Sequence, residues 1–148
     1  MQTTVGWREW VALPDLDIPH IKAKIDTGAL TSCLHASAIE VRGDTVTFEV
    51  QPLRKVPSVV LHCTAPVVDR RVIRDSGGHE EERPVIRARL RLGPFDDLTD
   101  ITLTDRARML FPMLIGRRTL AAAGITVDPA QSYALGRVRG AYRKKRDS

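Results

Sequence analysis

The sequence predicts a mostly β fold with one short helix, and three observations carry that prediction. Apolar residues alternate with polar ones in short windows, turn-forming residues divide the windows, and a single stretch reads as a helix with a stop signal. In chain order, Ile21, Ala23 and Ile25 alternate with Lys22 and Lys24, then Val46, Phe48 and Val50 with Thr47 and Glu49. Ile86, Ala88, Leu90 and Leu92 alternate with Arg87, Arg89 and Arg91. That window predicts an apolar face and a basic face, the latter read first as solvated strand surface and second as an attractor of acidic substrate. Ile101 and Leu103 alternate with Thr102 and Thr104. Gly43-Asp44, Asp75-Ser76-Gly77-Gly78 and Gly93-Pro94 supply the turns, so the windows read as hairpins in series. The helix is Arg117 to Ala123, closed by Gly124 where a left-handed cap belongs.

At 148 residues and 43% hydrophobic, the chain fits one domain able to bury about two-thirds of its unfolded surface. Residues 1–136 are expected to form it. The last dozen residues crowd Arg137, Arg139, Arg143, Lys144, Lys145 and Arg146, so 137–148 is expected to be a mobile basic tail. Two cysteines, Cys33 and Cys63, are too few for a disulfide framework and suit a reducing compartment. The N-terminus has no apolar core of signal-peptide length and no later run reaches the ~20 apolar residues of a membrane span, so the expectation is a cytoplasmic protein without membrane contact. A net charge of +5 favours acidic partners: nucleic acid, an anionic surface or a Glu-rich polypeptide.

Chemistry concentrates at Asp26-Thr27-Gly28, which ends the first alternating window and presents a carboxylate at a sharp turn. Gly28 permits close backbone approach to a ligand, and the Thr27 hydroxyl can lock the turn against a neighbour. A second motif, Met113-Leu114-Ile115-Gly116-Arg117, puts two large apolar residues and a glycine directly before the helix. This pair resembles the retropepsins, in which an apolar-apolar-Gly strand crosses beneath the Asp-Thr-Gly loop and a helix follows. Asp75 to Gly78 resembles their glycine-containing flap.

The resemblance is closer to the retropepsin-like family associated with RimK-type glutamate ligases, also labelled ATP-dependent zinc proteases. It rests on Val5-Gly6-Trp7-Arg8-Glu9-Trp10-Val11, Ile21-Lys22-Ala23-Lys24-Ile25-Asp26-Thr27-Gly28-Ala29, Thr31-Ser32-Cys33-Leu34-His35-Ala36, Glu82-Arg83-Pro84-Val85-Ile86 and the Met113 motif, which together cover most of residues 5 to 135. It implies a retropepsin-like closed β-barrel with a flap hairpin and one short C-terminal helix. It also implies an aspartic peptidase acting as a homodimer, with Asp26 of each chain supplying one catalytic carboxylate. Thr27, Gly28 and Ala29, with Ser76, Gly77 and Gly78 of the flap, would meet substrate, and no metal or cofactor is assigned. The family association points to glutamate-rich peptides or tails as substrate and to a RimK-type ligase as partner. Ala29 cannot donate the hydrogen bond that a serine after Asp-Thr-Gly offers the carboxylate, so the working pH is expected to lie nearer neutrality than in pepsin-like sites.

Competing readings are weighed on the same residues. Asp75-Ser76-Gly77 imitates a second catalytic turn, but Arg74 precedes it, Gly78-His79-Glu80 follows, no second apolar-apolar-Gly strand exists, and the chain is too short for two lobes. Cys33, His35, His62 and Cys63 number enough for a zinc peptidase site, yet their spacing matches no common zinc motif and His79-Glu80-Glu81-Glu82 lacks a second histidine. No phosphate loop ends in Lys-Ser or Lys-Thr. A noncatalytic basic module docking on RNA, the ribosome or the ligase is the alternative from another class. Leu30 replaces the aspartate that, in viral retropepsins, pairs with the arginine matched by Arg117, so Arg117 needs another partner. Trp7 and Trp10 read as packing anchors.

Overall fold

The computed structural model describes residues 3–53, 55–74, 77–105 and 110–142. In chain order its strands are β1 (Thr3–Val5), β2 (Arg8–Leu13), β3 (Ile18–Asp26), β4 (Ser32–His35), β5 (Ser37–Arg42), β6 (Thr45–Val50), β7 (Leu61–Arg74), β8 (Glu80–Leu92), β9 (Phe95–Thr104), β10 (Met113–Gly116) and β11 (Ile125–Val127), with helix α1 (Arg117–Ala123) between the last two. Six strands close a barrel in the order β2, β3, β10, β4, β9, β8, with the ring completed where Ala12 of β2 faces Arg91 of β8. β7, β6 and β5 continue outward from β8, and β1 and β11 form a separate parallel pair.

Each alternating window forms a strand with its apolar set inward. Ile21, Ala23, Ile86, Leu90, Leu92, Ile101, Leu103, Met113 and Ile115 are fully buried. Because a slip of one residue would turn these side chains to solvent, burial fixes the register. The helix has the predicted bounds, and Gly124 ends it at φ 65°, a conformation that costs a residue with a Cβ.

The structure differs from hairpins in series most clearly at its parallel pairings. β10 runs parallel to β3, β4 runs parallel to β9, and β1 runs parallel to β11. Parallel neighbours are joined through distant chain, so no local turn announces them. A second difference is the length of the β7–β8 ribbon, in which residues 69–74 pair with 80–85. That stretch is charged and bridged at its surface, Arg70 to Glu82 at 3.6 Å and Arg83 to Glu81 at 3.2 Å. Apart from Pro84 and Val85, none of its described side chains is buried, so burial does not enforce alternation there.

Arg87, Arg89 and Arg91 face acids across the β8–β9 pair. Arg87 meets Asp100 at 2.7 Å, and Arg89 and Arg91 both meet Asp96, at 3.1 and 3.2 Å. These exposed pairs contribute little stability, but they cancel the basic stripe. The solvated-face reading of these arginines therefore fits better than substrate attraction.

Glu9, within the Val5 to Val11 stretch, is fully buried on β2. Its carboxylate accepts the backbone N–H groups of Gly6 (2.7 Å), Ala134 (2.9 Å) and Leu135 (3.1 Å). Three donors satisfy a charge that burial alone would make costly. They also fasten the segment after β11 onto the barrel. Farther on, Tyr142 caps β3 residue His20, donating its hydroxyl to the His20 carbonyl and accepting the His20 N–H. The part of the basic tail after residue 142 lies outside the described residues.

Candidate active site

Asp26 ends β3 in register with Gly116 of β10, which lies between β3 and β4. The Asp26-Thr27-Gly28 turn is closed by two main-chain donors: Gly28 N–H to Asp26 Oδ1 at 3.0 Å, and Ala29 N–H to the Asp26 carbonyl at 3.2 Å. The first two residues of α1 then hold the far side of the loop, Arg117 N–H donating to Ala29 O at 2.8 Å and Arg118 N–H to Leu30 O at 3.1 Å. Strand, loop and helix are thus locked mainly by backbone bonds, with the Asp26 carboxylate accepting one.

A hydroxyl network lies under the loop. Ser32 Oγ accepts the Gly116 N–H at 3.0 Å and bonds Thr119 Oγ1 at 2.8 Å, which in turn bonds Thr99 Oγ1 at 2.8 Å. Thr102 Oγ1 donates to the Ser32 carbonyl at 3.2 Å. Ser32 and Thr119 are buried, so each hydroxyl has the partner that burial demands. Thr99 and Thr119 carry no signal of this role in the sequence, because a network between residues 20 to 87 apart in the chain leaves no local spacing.

Asp26, Gly28 and Ala29 open onto a recess of about 370 Å³, which Leu30, Cys33, Thr102 and Leu114 also line. Ile73 and Arg83, on the two arms of the β7–β8 ribbon, complete it. Asp26 is the sole carboxylate lining this space among the described residues. Thr27 is exposed and outside the lining, as are Gly77 and Gly78 near the ribbon tip. Ser76, with Asp75, lies outside the described residues. The flap resemblance therefore reaches the site through the ribbon arms, at Ile73 and Arg83, which the sequence reading did not single out. Arg117 is exposed and has no acidic partner among the described residues.

The metal-site arithmetic has no geometric counterpart: among the described residues no group of three or more His, Cys, Asp or Glu side chains is arranged to hold an ion. No disulfide joins the cysteines. Cys33 borders the Asp26 recess, whereas Cys63 is buried on β7 and points at the Leu16 carbonyl. Burial first, and the Asp17 carboxylate second, push the Cys63 thiol up to about 11. Since the thiolate is the reactive form, a thiol reagent near pH 8 is expected to label Cys33 in the folded protein and to spare Cys63 until denaturant is added. Peptide mapping by mass spectrometry checks this; equal labelling of both in the native protein would contradict the burial of Cys63.

Comparison with known proteins agrees with the geometry. The family model described as RimB-like, retropepsin-like aspartic endopeptidase RimB, matches residues 4–137. A protein of Desulfotalea psychrophila named "Probable alpha-L-glutamate ligase" is 41% identical over 138 residues, 90% of this chain and 30% of that protein. One of the same name from Parasynechococcus marenigrum is 41% identical over 139 residues, 91% of this chain and 30% of its own length. The chain thus spans about 30% of the length of the curated relatives it matches. Among solved structures, a Legionella pneumophila protein with unknown function superimposes with a TM-score of 0.74 at 26% identity, covering 90% of this chain and 98% of that one.

Proposed function

The chain belongs to the RimB-like family of retropepsin-like aspartic endopeptidases, and from that premise we propose that it is one half of a peptide-bond hydrolase, completed by a second copy. The observation that carries the reading is the lone carboxylate of Asp26, opening onto a recess on a loop fixed by the β10 strand and α1. A water-activating aspartic site needs two carboxylates, and among the described residues this recess has one. Two copies meeting at a two-fold axis would supply the pair.

In that pair, like charges a few ångströms apart share one proton. The ionised carboxylate takes a proton from a bound water as it attacks the scissile carbonyl, and the protonated partner donates to the carbonyl oxygen. The tetrahedral intermediate then collapses as the leaving nitrogen gains a proton. No covalent enzyme intermediate forms. Thr27, exposed and with no side-chain hydrogen bond among the described residues, is available to brace the partner loop, and the Gly28 backbone to bind substrate main chain.

Substrates rich in glutamate follow from the names of the relatives, which describe ligases of that amino acid. A chain able to hydrolyse what such a ligase appends would reverse its product, and the ligase is the proposed partner. The test is to incubate purified protein with oligoglutamate-extended peptides, read cleavage by mass spectrometry, and follow specific activity through dilution alongside sedimentation. Activity should track the dimer fraction. Full specific activity in a dilution that contains only monomer would overturn the shared site, and no cleavage of any peptide by intact dimer would overturn the hydrolase.

A further inference from the structure

Lys22, Lys24 and Asp26 lie on one face of β3, since Ile21, Ala23 and Ile25 point into the core. Across the β2–β3 pair, Arg8 faces Lys24 and Trp10 faces Lys22. A cation directly opposite another is a destabilising arrangement, and none of Arg8, Lys22 and Lys24 has an acidic partner among the described residues. The contrast with Arg87, Arg89 and Arg91, each bonded to an aspartate, is complete.

The row ends in a cleft of about 460 Å³, where Arg8 and Lys22 meet Lys55 from the loop after β6, beside Phe111, Pro112 and Tyr133. No carboxylate lines it among the described residues. Arg8 and Lys22 are held rather than loose: the Arg8 guanidinium lies 4.6 Å from the Trp7 ring centre and 4.8 Å from that of Tyr133, and it donates to Ser132 Oγ at 3.2 Å. Lys22 Nζ sits 5.3 Å from the Trp10 ring centre and 5.9 Å from that of Tyr133. Aromatic stacking of this kind holds a cation in place without neutralising it.

We infer that this cleft is a specificity site for an acidic side chain of the substrate, with Arg8, Lys22 and Lys55 binding its carboxylate and Phe111 and Pro112 packing on its methylenes. The inference rests on the peptidase reading above and adds the residues that would read the substrate. Four residues separate Lys22 from Asp26, about 13 Å along an extended strand, so the acid recognised would stand about four residues from the cleaved bond. Lys24, between them, would favour acidic residues nearer that bond.

The test compares an oligoglutamate peptide with its matched glutamine peptide on the full-length protein. Losing one charge-assisted contact should cost about tenfold, so Lys22→Gln and Lys55→Gln are each expected to lower the glutamate-over-glutamine ratio of kcat/KM about tenfold, chiefly through KM. Lys55 sits on a loop outside the barrel, so its variant decides the matter even where Lys22→Gln perturbs the fold. An unchanged ratio in a folded Lys55→Gln dimer would overturn the inference while leaving the peptidase reading standing. Fluorescence anisotropy of a labelled oligoglutamate peptide on Asp26→Asn protein separates the two claims in the other direction. Binding that falls about tenfold with Lys22→Gln or Lys55→Gln supports the cleft even where no peptide is hydrolysed. Equal displacement by a single-stranded oligonucleotide of the same charge would show that the cleft reads charge alone, and would overturn the assignment to peptide.

Discussion

Asp26→Asn is expected to lower hydrolysis by about 10³-fold or more while leaving melting temperature and dimer content nearly unchanged. The fold should tolerate the change because Asp26 is half-exposed and its Oδ1 accepts a single N–H, from Gly28, which an amide oxygen accepts equally well. The chemistry should not tolerate it, because an amide cannot hold the shared proton or take one from water. Mixing the variant with wild-type protein sharpens the test. After subunit exchange in an equal mixture, only about one quarter of dimers carry two aspartates, by the statistics of a symmetric pair. Activity near one quarter of the all-wild-type value is expected. A value near one half would mean that each chain works alone and would sink the shared site.

Much of this architecture was legible because burial leaves a mark on the sequence. The windows around Ile21, Val46, Ile86 and Ile101 became strands since one face of each is packed, and the Arg117 helix stopped at Gly124 since a left-handed residue was needed there. The Asp26 and Gly116 motifs could be paired because together they resemble the Asp-Thr-Gly loop and apolar-apolar-Gly strand of the retropepsins, and the structure brings the two residues into register. What was not legible lacks a local pattern. The ribbon arms that carry Ile73 and Arg83 are charged and exposed, the parallel pairings join distant segments, and the Glu9 carboxylate binds amides 125 and 126 residues away. The basic stripe of Arg87, Arg89 and Arg91 misled in a different way. Its acids sit on the neighbouring strand, so counting charges along one strand could not reveal that they are paired, nor that Arg8, Lys22 and Lys24 on β2 and β3 have no acidic partner among the described residues.

Gly116→Ala is expected to be strongly damaging for the addition of a single methyl group. A Cβ at this position would lie 2.5 Å from the Thr31 carbonyl carbon, 2.6 Å from its oxygen and 2.9 Å from the Ser32 nitrogen. All three are backbone atoms, so no side chain can swing aside. Relief requires β10 to move off β4, which stretches the Gly116 N–H bond to Ser32 Oγ and disturbs the Thr119 and Thr99 hydroxyls behind it. It would also shift Gly116 against Asp26, its partner in register. Overpacking with backbone displacement costs about 3 kcal/mol, which for a domain of this size lowers the melting temperature by about 10 °C. Urea unfolding and a thermal melt measure the loss. Activity should fall as well, even in the fraction that remains folded, because the displaced strand pairs in register with the strand that presents the carboxylate. Asp26→Asn and Gly116→Ala therefore separate chemistry from architecture: the first silences a stable protein, the second loosens the frame. Unchanged stability in Gly116→Ala would mean that β10 does not approach the Thr31–Ser32 backbone this closely, and would remove the strand from its place beneath the Asp26 loop.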